Sequence, residues 1–217
     1  MGLGVEVGIM ADLLENDDES FEYYEEQFAA INEILDELGL PQHNEPSQVS
    51  DIVSYDMWAY SGLQYLRRFA AHLDATGNVP SPGDDQASVD PILQKYHQAN
   101  EPVKCRFQHL LQHSDIDGYY LPVDLKEVIY LPEDSEIAGG ILGSSHALLA
   151  ECKELAKELK LPEDIDPDGD EIWEAAEKQS ADDAVFWKRY GVESFTCIRL
   201  MHAARVSVET KSAMIFV

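Results

Sequence analysis

The sequence predicts an α+β fold, a mostly helical single domain over residues 1–217 with a small β-sheet built from N-terminal, middle (119–131) and C-terminal strands. Long segments with apolar residues three and four positions apart predict amphipathic helices. Short segments with alternating or continuous apolar residues predict the strands. The chain has 217 residues and 45% hydrophobic residues. This is enough for a sizeable core, since a domain of this length buries roughly 70% of its unfolded surface.

The N-terminal third predicts one strand and two helices. Val5, Val7 and Ile9 alternate with other residues and predict a strand within residues 4–13. A helix begins at about Ser20 and ends before Gly39 and Pro41, because glycine and proline commonly terminate helices. A second helix is expected over residues 56–73. The apolar stripe of the first helix consists of Phe21, Tyr24, Phe28, Ile31, Leu35 and Leu38.

A stretch rich in proline, glycine, serine and aspartate predicts an exposed loop at about 75–89. Asp90 and Pro91 then form a helix start, because aspartate caps helices and proline suits the first helical turn. Helical periodicity returns over residues 103–112. It stops at an Asp-Ile-Asp-Gly turn over residues 115–118.

The C-terminal half predicts strands, then helices, then a closing strand. Two short strands are expected at 119–123 and 127–131, and a glycine-rich segment over 139–145 leads into a helix carrying Leu148 and Leu155. The remaining helices are expected over residues 171–179, 182–190 and 192–211, followed by a strand over residues 213–217.

Charge is very unevenly distributed along the chain. There are 42 acidic and 15 basic residues, a net charge of −27, and residues 1–66 contain no lysine or arginine. Such a block of one sign repels nucleic acid and anionic membranes and attracts cationic partners. An adaptation of the whole proteome to salty water explains the acidity equally well.

We interpret the chain as a non-enzymatic acidic protein that binds a basic protein partner, of the inhibitor or immunity type. Charge complementarity speeds such an association. Binding of nucleic acid is excluded, because the basic stripe that phosphate contacts need is absent. The residues expected to meet the partner are Glu15, Asp18, Glu19, Glu22, Glu25 and Glu26.

Composition also indicates the compartment. The longest apolar runs, such as residues 138–142, are far shorter than the roughly 20 residues that cross a bilayer. The N-terminal segment lacks the positive region of a signal peptide. Cys105, Cys152 and Cys197 are odd in number and widely spaced, which indicates reduced thiols. We therefore expect a bacterial cytoplasmic protein, either a monomer or a homodimer.

A second interpretation is a metal-dependent hydrolase. His109 and His113 are four residues apart, so on a helix both imidazoles would share one face and could bind zinc or manganese. Asp115 and Asp117 follow and could complete an open site that activates water, with Cys105 one turn earlier. In the alternative interpretation, the histidines flank a core helix and the aspartates form a turn.

Two further segments have weaker signals. Residues 164–170 carry acids at the first, third and fifth positions of a calcium loop and a glycine at the sixth, but the twelfth position is Ala175, so at most a weak calcium site is expected. Arg199, His202 and Arg205 recur on one helical face. They could form an anion pocket, or the arginines could pair with the surplus carboxylates while His202 is partly buried.

The stretch from Phe107 through HLLQHSDIDGYYLPVDLKEVIYLPED to GSSHALLAECKELA resembles a family of uncharacterised bacterial proteins. The resemblance lies mainly in residues 107–156, about a quarter of the chain. It implies a single cytoplasmic domain and carries no catalytic or binding residue with it.

Overall fold

One mixed sheet lies at the centre of the protein. The computed structural model describes residues 3–83, 86–98, 103–114, 116–132 and 134–217, with the side chains of residues 15, 59 and 60 left aside. In these ranges the strand order is β2-β1-β6-β3-β5-β4. Strands β3 and β5 are parallel, and the other neighbours are antiparallel. The strands are β1 (Gly4–Val7), β2 (Val53–Asp56), β3 (Gly118–Leu121), β4 (Ile129–Tyr130), β5 (Ile141–Ser144) and β6 (Met214–Phe216).

Helices cover both faces of this sheet. A short 3₁₀ turn over Ala87–Val89 precedes the fourth helix. The helices are α1 (Ile9–Asn16), α2 (Asp18–Glu37), α3 (Ala59–Thr76), α4 (Pro91–His97), α5 (Gln108–Leu111), α6 (Ser145–Leu159), α7 (Asp170–Glu177), α8 (Phe186–Arg189) and α9 (Gly191–Thr210).

Successive strand residues belong to different cores, because side chains alternate across a sheet. On one face, Tyr119 and Ile215 pack in a cluster with α2, whose Phe28 and Ile31 are buried there. On the other face, Tyr120 joins a larger cluster with residues from α3, α6 and α9. The sheet is therefore sandwiched between α2 on one side and a thicker helical layer on the other.

The C-terminal segment occupies the middle of the structure. Strand β6 pairs with both β1 and β3, and most residues of α9 are buried, including the polar Ser194 and Thr196. Gly191 begins this helix at a point of very close approach to α7. A Cβ atom there would lie 1.8 Å from the carbonyl oxygen of Ala175.

A buried carboxyl group and a buried guanidinium hold the four-residue helix α5. Glu151 accepts hydrogen bonds from the backbone N–H groups of His109 (2.9 Å) and Leu110 (2.8 Å). Arg67 donates to the carbonyl oxygens of Leu110 (2.8 Å), His113 (2.6 Å) and Ser114 (3.0 Å). Both ends of a helix too short to satisfy its own backbone groups are thus hydrogen-bonded.

The predicted α+β class with N-terminal, middle and C-terminal strands is confirmed. The strand predicted over residues 4–13 is too long. It ends at Val7, because Gly8 adopts a left-handed conformation (φ 87°) and caps the start of α1. The alternation of apolar residues through Ile9 did not predict this helix. Strands β2 and β5 were not predicted. The glycine-rich segment contains β5, although Ser144 does cap α6 by accepting from Ala147.

The expected loop at about 75–89 is also shorter than predicted. Helix α3 continues to Thr76, and the 3₁₀ turn at the other end buries Ala87. Residues 84 and 85 lie outside the described ranges. All three cysteines are free thiols, with Cys152 and Cys197 buried and Cys105 half-buried.

Replacing Gly191 by alanine should destabilise the protein by roughly 1–3 kcal/mol, because the new methyl group overlaps a backbone carbonyl that cannot move aside easily. The free energy of unfolding in urea measures this. Gly169→Ala is the control, since Gly169 has φ −70° and its nearest atom is 3.1 Å from a Cβ. Equal stability of the two variants would contradict the close packing of α7 on α9.

Stability should fall as pH rises from 6.5 to 8, in part because of Glu151; below pH 6.5 the lowered pKa values of His109 and His113 oppose this trend. Burial raises the pKa of this carboxyl from 4.5 to about 8, against the opposing effect of its two backbone hydrogen bonds. Between these values the folded state binds one more proton than the unfolded state, so raising the pH favours unfolding. One pKa unit corresponds to about 1.4 kcal/mol, so a loss of at least that size is expected.

Glu151→Gln removes the titrating group and should flatten this pH dependence in urea-unfolding experiments. Glu158→Gln is the matched control, because Glu158 is exposed on the same helix. An identical slope in wild type, Glu151→Gln and Glu158→Gln would show that Glu151 does not take up the proton.

Candidate functional site

Helix α2 presents a row of carboxylates to solvent. Its apolar side chains Phe28, Ile31 and Leu35 are buried against the sheet, which directs the opposite face outward. The acidic side chains are all exposed. They are Asp18, Glu19, Glu22, Glu25, Glu26, Glu33, Asp36 and Glu37.

The start of this helix is capped by another acid. Asp17 accepts hydrogen bonds from the N–H (3.1 Å) and the hydroxyl (2.8 Å) of Ser20, and these bonds lower the pKa of Asp17. Asp18 and Glu19 lie in the first turn, where negative charge stabilises the helix dipole. The acids at this end therefore support the helix as well as charging its surface.

The mean spacing of these charges is close to that of phosphates. A helix of 20 residues is about 30 Å long, so the eight acidic residues of α2 have a mean axial spacing of about 4 Å, in two groups at residues 18–26 and 33–37 that are about 10 Å apart. One strand of DNA carries a phosphate about every 3.4 Å. A protein surface that contacts phosphates along one DNA strand would thus meet a similar linear charge density on α2.

The described ion pairs do not neutralise the acids of this helix. The first two cations of the chain, Arg67 and Arg68, are buried in α3 on the opposite side of the sheet. Among the described residues, none of the ion pairs involves a side chain of α1 or α2. The negative charge of this surface is therefore available to a partner.

A second acidic region, residues 163–183, differs because cations neutralise part of it. Lys178 pairs with Glu174 (3.4 Å) and Lys188 with Glu171 (2.9 Å).

We use the name "acidic face" only for the exposed side of α1 and α2. The acidic face also exposes apolar side chains, with Leu14 44% and Tyr23 46% exposed.

Five of the six predicted partner-binding residues lie on the exposed side of α2, namely Asp18, Glu19, Glu22, Glu25 and Glu26. Glu15 belongs to α1, and its side chain is outside the described ones. The turn at Asp17 joins the two helices, so all six residues lie in one continuous stretch of the chain.

The predicted histidine site has a different geometry from the one expected. Helix α5 ends at Leu111, so His113 lies beyond it and the shared helical face for His109 and His113 does not form. His109 Nδ1 accepts from the N–H of Ser144 (3.0 Å), and His113 Nε2 bonds to the carbonyl oxygen of Tyr119 (3.0 Å). The tertiary structure thus uses both imidazoles as hydrogen-bonding groups of the core.

Burial keeps both imidazoles neutral, lowering the pKa of His109 to about 4 and that of His113 to about 3. Asp117 is exposed, and Asp115 lies outside the described residues. Burial also raises the pKa of the Cys105 thiol to about 11. Within the described ranges, no group of three or more His, Cys, Asp or Glu residues is arranged to hold a metal ion.

An ion pair connects the acidic segment over residues 164–170 to α9. Asp166 accepts from the N–H of Asp168 (3.0 Å), and Asp168 pairs with Arg199 (3.0 Å). The Arg199 guanidinium is buried between the rings of Phe195 and Trp173. Carboxylate oxygens expected to bind calcium thus form a turn and an ion pair.

The arginines and histidine of α9 do not form a common anion pocket. Arg199 is committed to Asp168 and to the carbonyl oxygens of Pro167 and Asp56. The Nδ1 atom of His202 bonds to the hydroxyl of Tyr55 (2.8 Å). The alternative, in which the arginines pair with carboxylates and the histidine is partly buried, is confirmed for Arg199 and His202, whereas the described ion pairs include none of Arg205.

Within the described part of the chain, no helix combines the length and the apolar character needed to cross a membrane.

No match to this chain was found among the curated proteins or among the solved structures. A family model described as "Putative DNA-mimic protein" matches residues 1–216, far more than the quarter of the chain on which the resemblance rested.

This match overturns the interpretation as an inhibitor or immunity-type protein with an unspecified basic target, and it gives no support to the hydrolase alternative. A protein that imitates DNA is directed at proteins whose ligand is DNA. The absence of a basic stripe, which argued against nucleic-acid binding, agrees with such imitation. The chain belongs to the family described as "Putative DNA-mimic protein".

Proposed function

We propose that this protein binds a DNA-binding protein in place of DNA, and that the acidic face imitates the phosphates of one DNA strand. The observation that carries this proposal is the row of eight exposed carboxylates along α2. Their mean axial spacing is close to that of phosphates, and none of the described ion pairs involves them. Family membership supports the same function.

Electrostatic attraction explains why a row of carboxylates can bind a protein whose ligand is DNA. Half or more of the hydrogen bonds that DNA-binding proteins make go to phosphate and sugar groups, and lysine and arginine are prominent among the donors. These donors are already positioned to bind a row of negatively charged groups. Binding to α2 would therefore use the positive surface that normally holds DNA, and the two ligands would exclude each other.

The packing of α2 makes the row of charges rigid. Ile31 and Leu35 are fully buried, and Gln27 donates to the carbonyl oxygen of Glu136 (3.1 Å) and accepts from the N–H of Ala138 (2.9 Å). A helix fixed along its length in this way keeps its carboxylates in register. Binding therefore costs less conformational entropy than it would with a flexible acidic tail.

We assign the contacts with the partner to Glu15, Asp18, Glu19, Glu22, Glu25 and Glu26. Leu14 and Tyr23 are exposed among these acids and would add apolar contact area. Tyrosine suits this role, because it supplies a large contact area at small entropic expense. Salt should weaken the interaction strongly, since exposed charge pairs are screened beyond about 8–10 Å at physiological ionic strength.

Neutralising α2 should weaken displacement of DNA. The triple variant Glu22→Gln, Glu25→Gln, Glu26→Gln removes three charges and keeps residues that favour helices. Exposed charge pairs contribute about 0.2–1 kcal/mol each, so the concentration needed to displace DNA should rise roughly 3- to 150-fold. The partner is first retained on immobilised wild-type protein and eluted with a 30-base-pair duplex. Fluorescence anisotropy of the labelled duplex then measures displacement.

The matched control is the triple variant Glu163→Gln, Glu174→Gln, Glu177→Gln, which removes the same charge from the second acidic region. It should displace the duplex within about twofold of wild type. A ternary complex of partner, duplex and this protein would refute the proposal. Equal effects of the two triple variants would show that total charge, rather than the acidic face, is recognised.

A further inference from the structure

Strand β2 has an open edge. It is the first strand of the sheet and pairs with β1 alone among the strands of the described ranges. The side chains of Val53 and Tyr55 in this strand point into the core that contains α9. The edge thus lies beside the thicker helical layer.

The hydrogen-bond register shows which backbone groups the edge presents. Gly4 exchanges both backbone bonds with Val217 (2.9 and 3.1 Å), so Gly4 and Glu6 are directed toward β6 and Val5 and Val7 toward β2. The N–H of Met57 donates to the carbonyl oxygen of Leu3 (2.9 Å), in agreement with this alternation.

Ser54 and Asp56 therefore direct their N–H and C=O groups away from β1. Arg199 Nη1 donates to the carbonyl oxygen of Asp56 (2.7 Å), which confirms the outward direction. Within the described part of the chain, no hydrogen bond engages the backbone N–H or C=O of Ser54. Ser54 thus presents both a donor and an acceptor of the kind that an added strand requires.

A groove of about 470 Å³ runs beside this edge, between β2 and α9. Ile52 is 53% exposed there and offers an apolar contact. The charged side chains lining the groove are the carboxylates of Asp51, Asp168 and Glu209 and the guanidinium of Arg205. The excess of carboxylates favours an occupant with positive charge.

We propose that this groove binds an extended basic segment of the DNA-binding partner, which adds to the sheet as a strand beside β2. The inference rests on the proposed function, because many DNA-binding proteins carry basic arms that are extended or fold only on binding. Main-chain bonds to Ser54 supply affinity, and the carboxylates select lysine or arginine side chains. The protein thus engages its partner at two places, the acidic face and the β2 edge.

The test uses Ser54→Pro with Ser54→Ala as its control. Proline removes the outward N–H of Ser54 but no bond to β1, and proline is tolerated on an edge strand whose N–H faces away from the sheet. Alanine keeps the backbone groups, and both variants lose the long contact from the Ser54 hydroxyl to Glu6 (3.4 Å). Circular dichroism and thermal unfolding establish that both variants fold.

The probe is a fluorescein-labelled octapeptide of alternating lysine and valine, with a second peptide methylated on alternate backbone nitrogens. Anisotropy at about 150 mM salt should show binding to wild type and to Ser54→Ala. Binding should weaken at least tenfold for Ser54→Pro and for the methylated peptide. Equal binding in all four measurements would overturn the proposal, since charge alone would then hold the peptide.

Two further measurements distinguish a failure of the proposed function from a failure of the β2 inference. If wild-type protein does not displace the DNA duplex from the partner, the proposed function fails and the inference fails with it. If it does displace the duplex but Ser54→Pro binds the peptide normally, only the β2 inference fails. A wild-type dimer that Ser54→Pro converts to a monomer in sedimentation would overturn the inference by assigning the edge to a second copy of the chain.

Discussion

The central position of the C-terminal segment is the constraint on which the rest of the structure depends. Strand β6 joins the N-terminal strands to the middle strands by pairing with β1 and β3, and α9 packs against α3, α6 and α7. These last residues of the chain place the two halves of the sheet side by side. Helix α2 then rests on a sheet surface that includes Ile215 and Tyr119. The acidic face is rigid because its support is assembled from both ends of the chain.

The separation of acidic and apolar side chains on opposite sides of α2 connects the packing of this helix to the proposed function. Like charges four residues apart on a helix destabilise it, and Glu22 with Glu26 and Glu33 with Glu37 are such pairs. Burial of the apolar side of α2 compensates for this repulsion. A cationic partner would relieve it, so part of the binding free energy would come from strain already present in the free protein. A row of acids on a firmly packed helix is therefore suited to imitating a polyanion.

The fold class and the outward orientation of the α2 acids could be predicted because both follow from local periodicity. Apolar residues at three- and four-residue spacing place Phe28, Ile31 and Leu35 on one side whatever the rest of the chain does. Strand β2 escaped prediction because a helix was expected to begin at residue 56, and β5 escaped because its glycine-rich segment indicated a loop leading into a helix. The break at Gly8 escaped because an alternating pattern does not show where left-handed glycine ends a strand.

The sequence by itself determined the sign of the charge, its concentration in the first 66 residues and its position opposite an apolar stripe. Only the tertiary structure decided the role of His109 and His113, because it buries both and forms core hydrogen bonds from Ser144 to His109 Nδ1 and between His113 Nε2 and Tyr119. It also decided that β2 is an edge strand. The physical reason is distance along the chain. Helical periodicity involves residues within a few positions of one another, whereas the pairing of Val5 with Tyr55 and Phe216 joins residues from opposite ends of the chain.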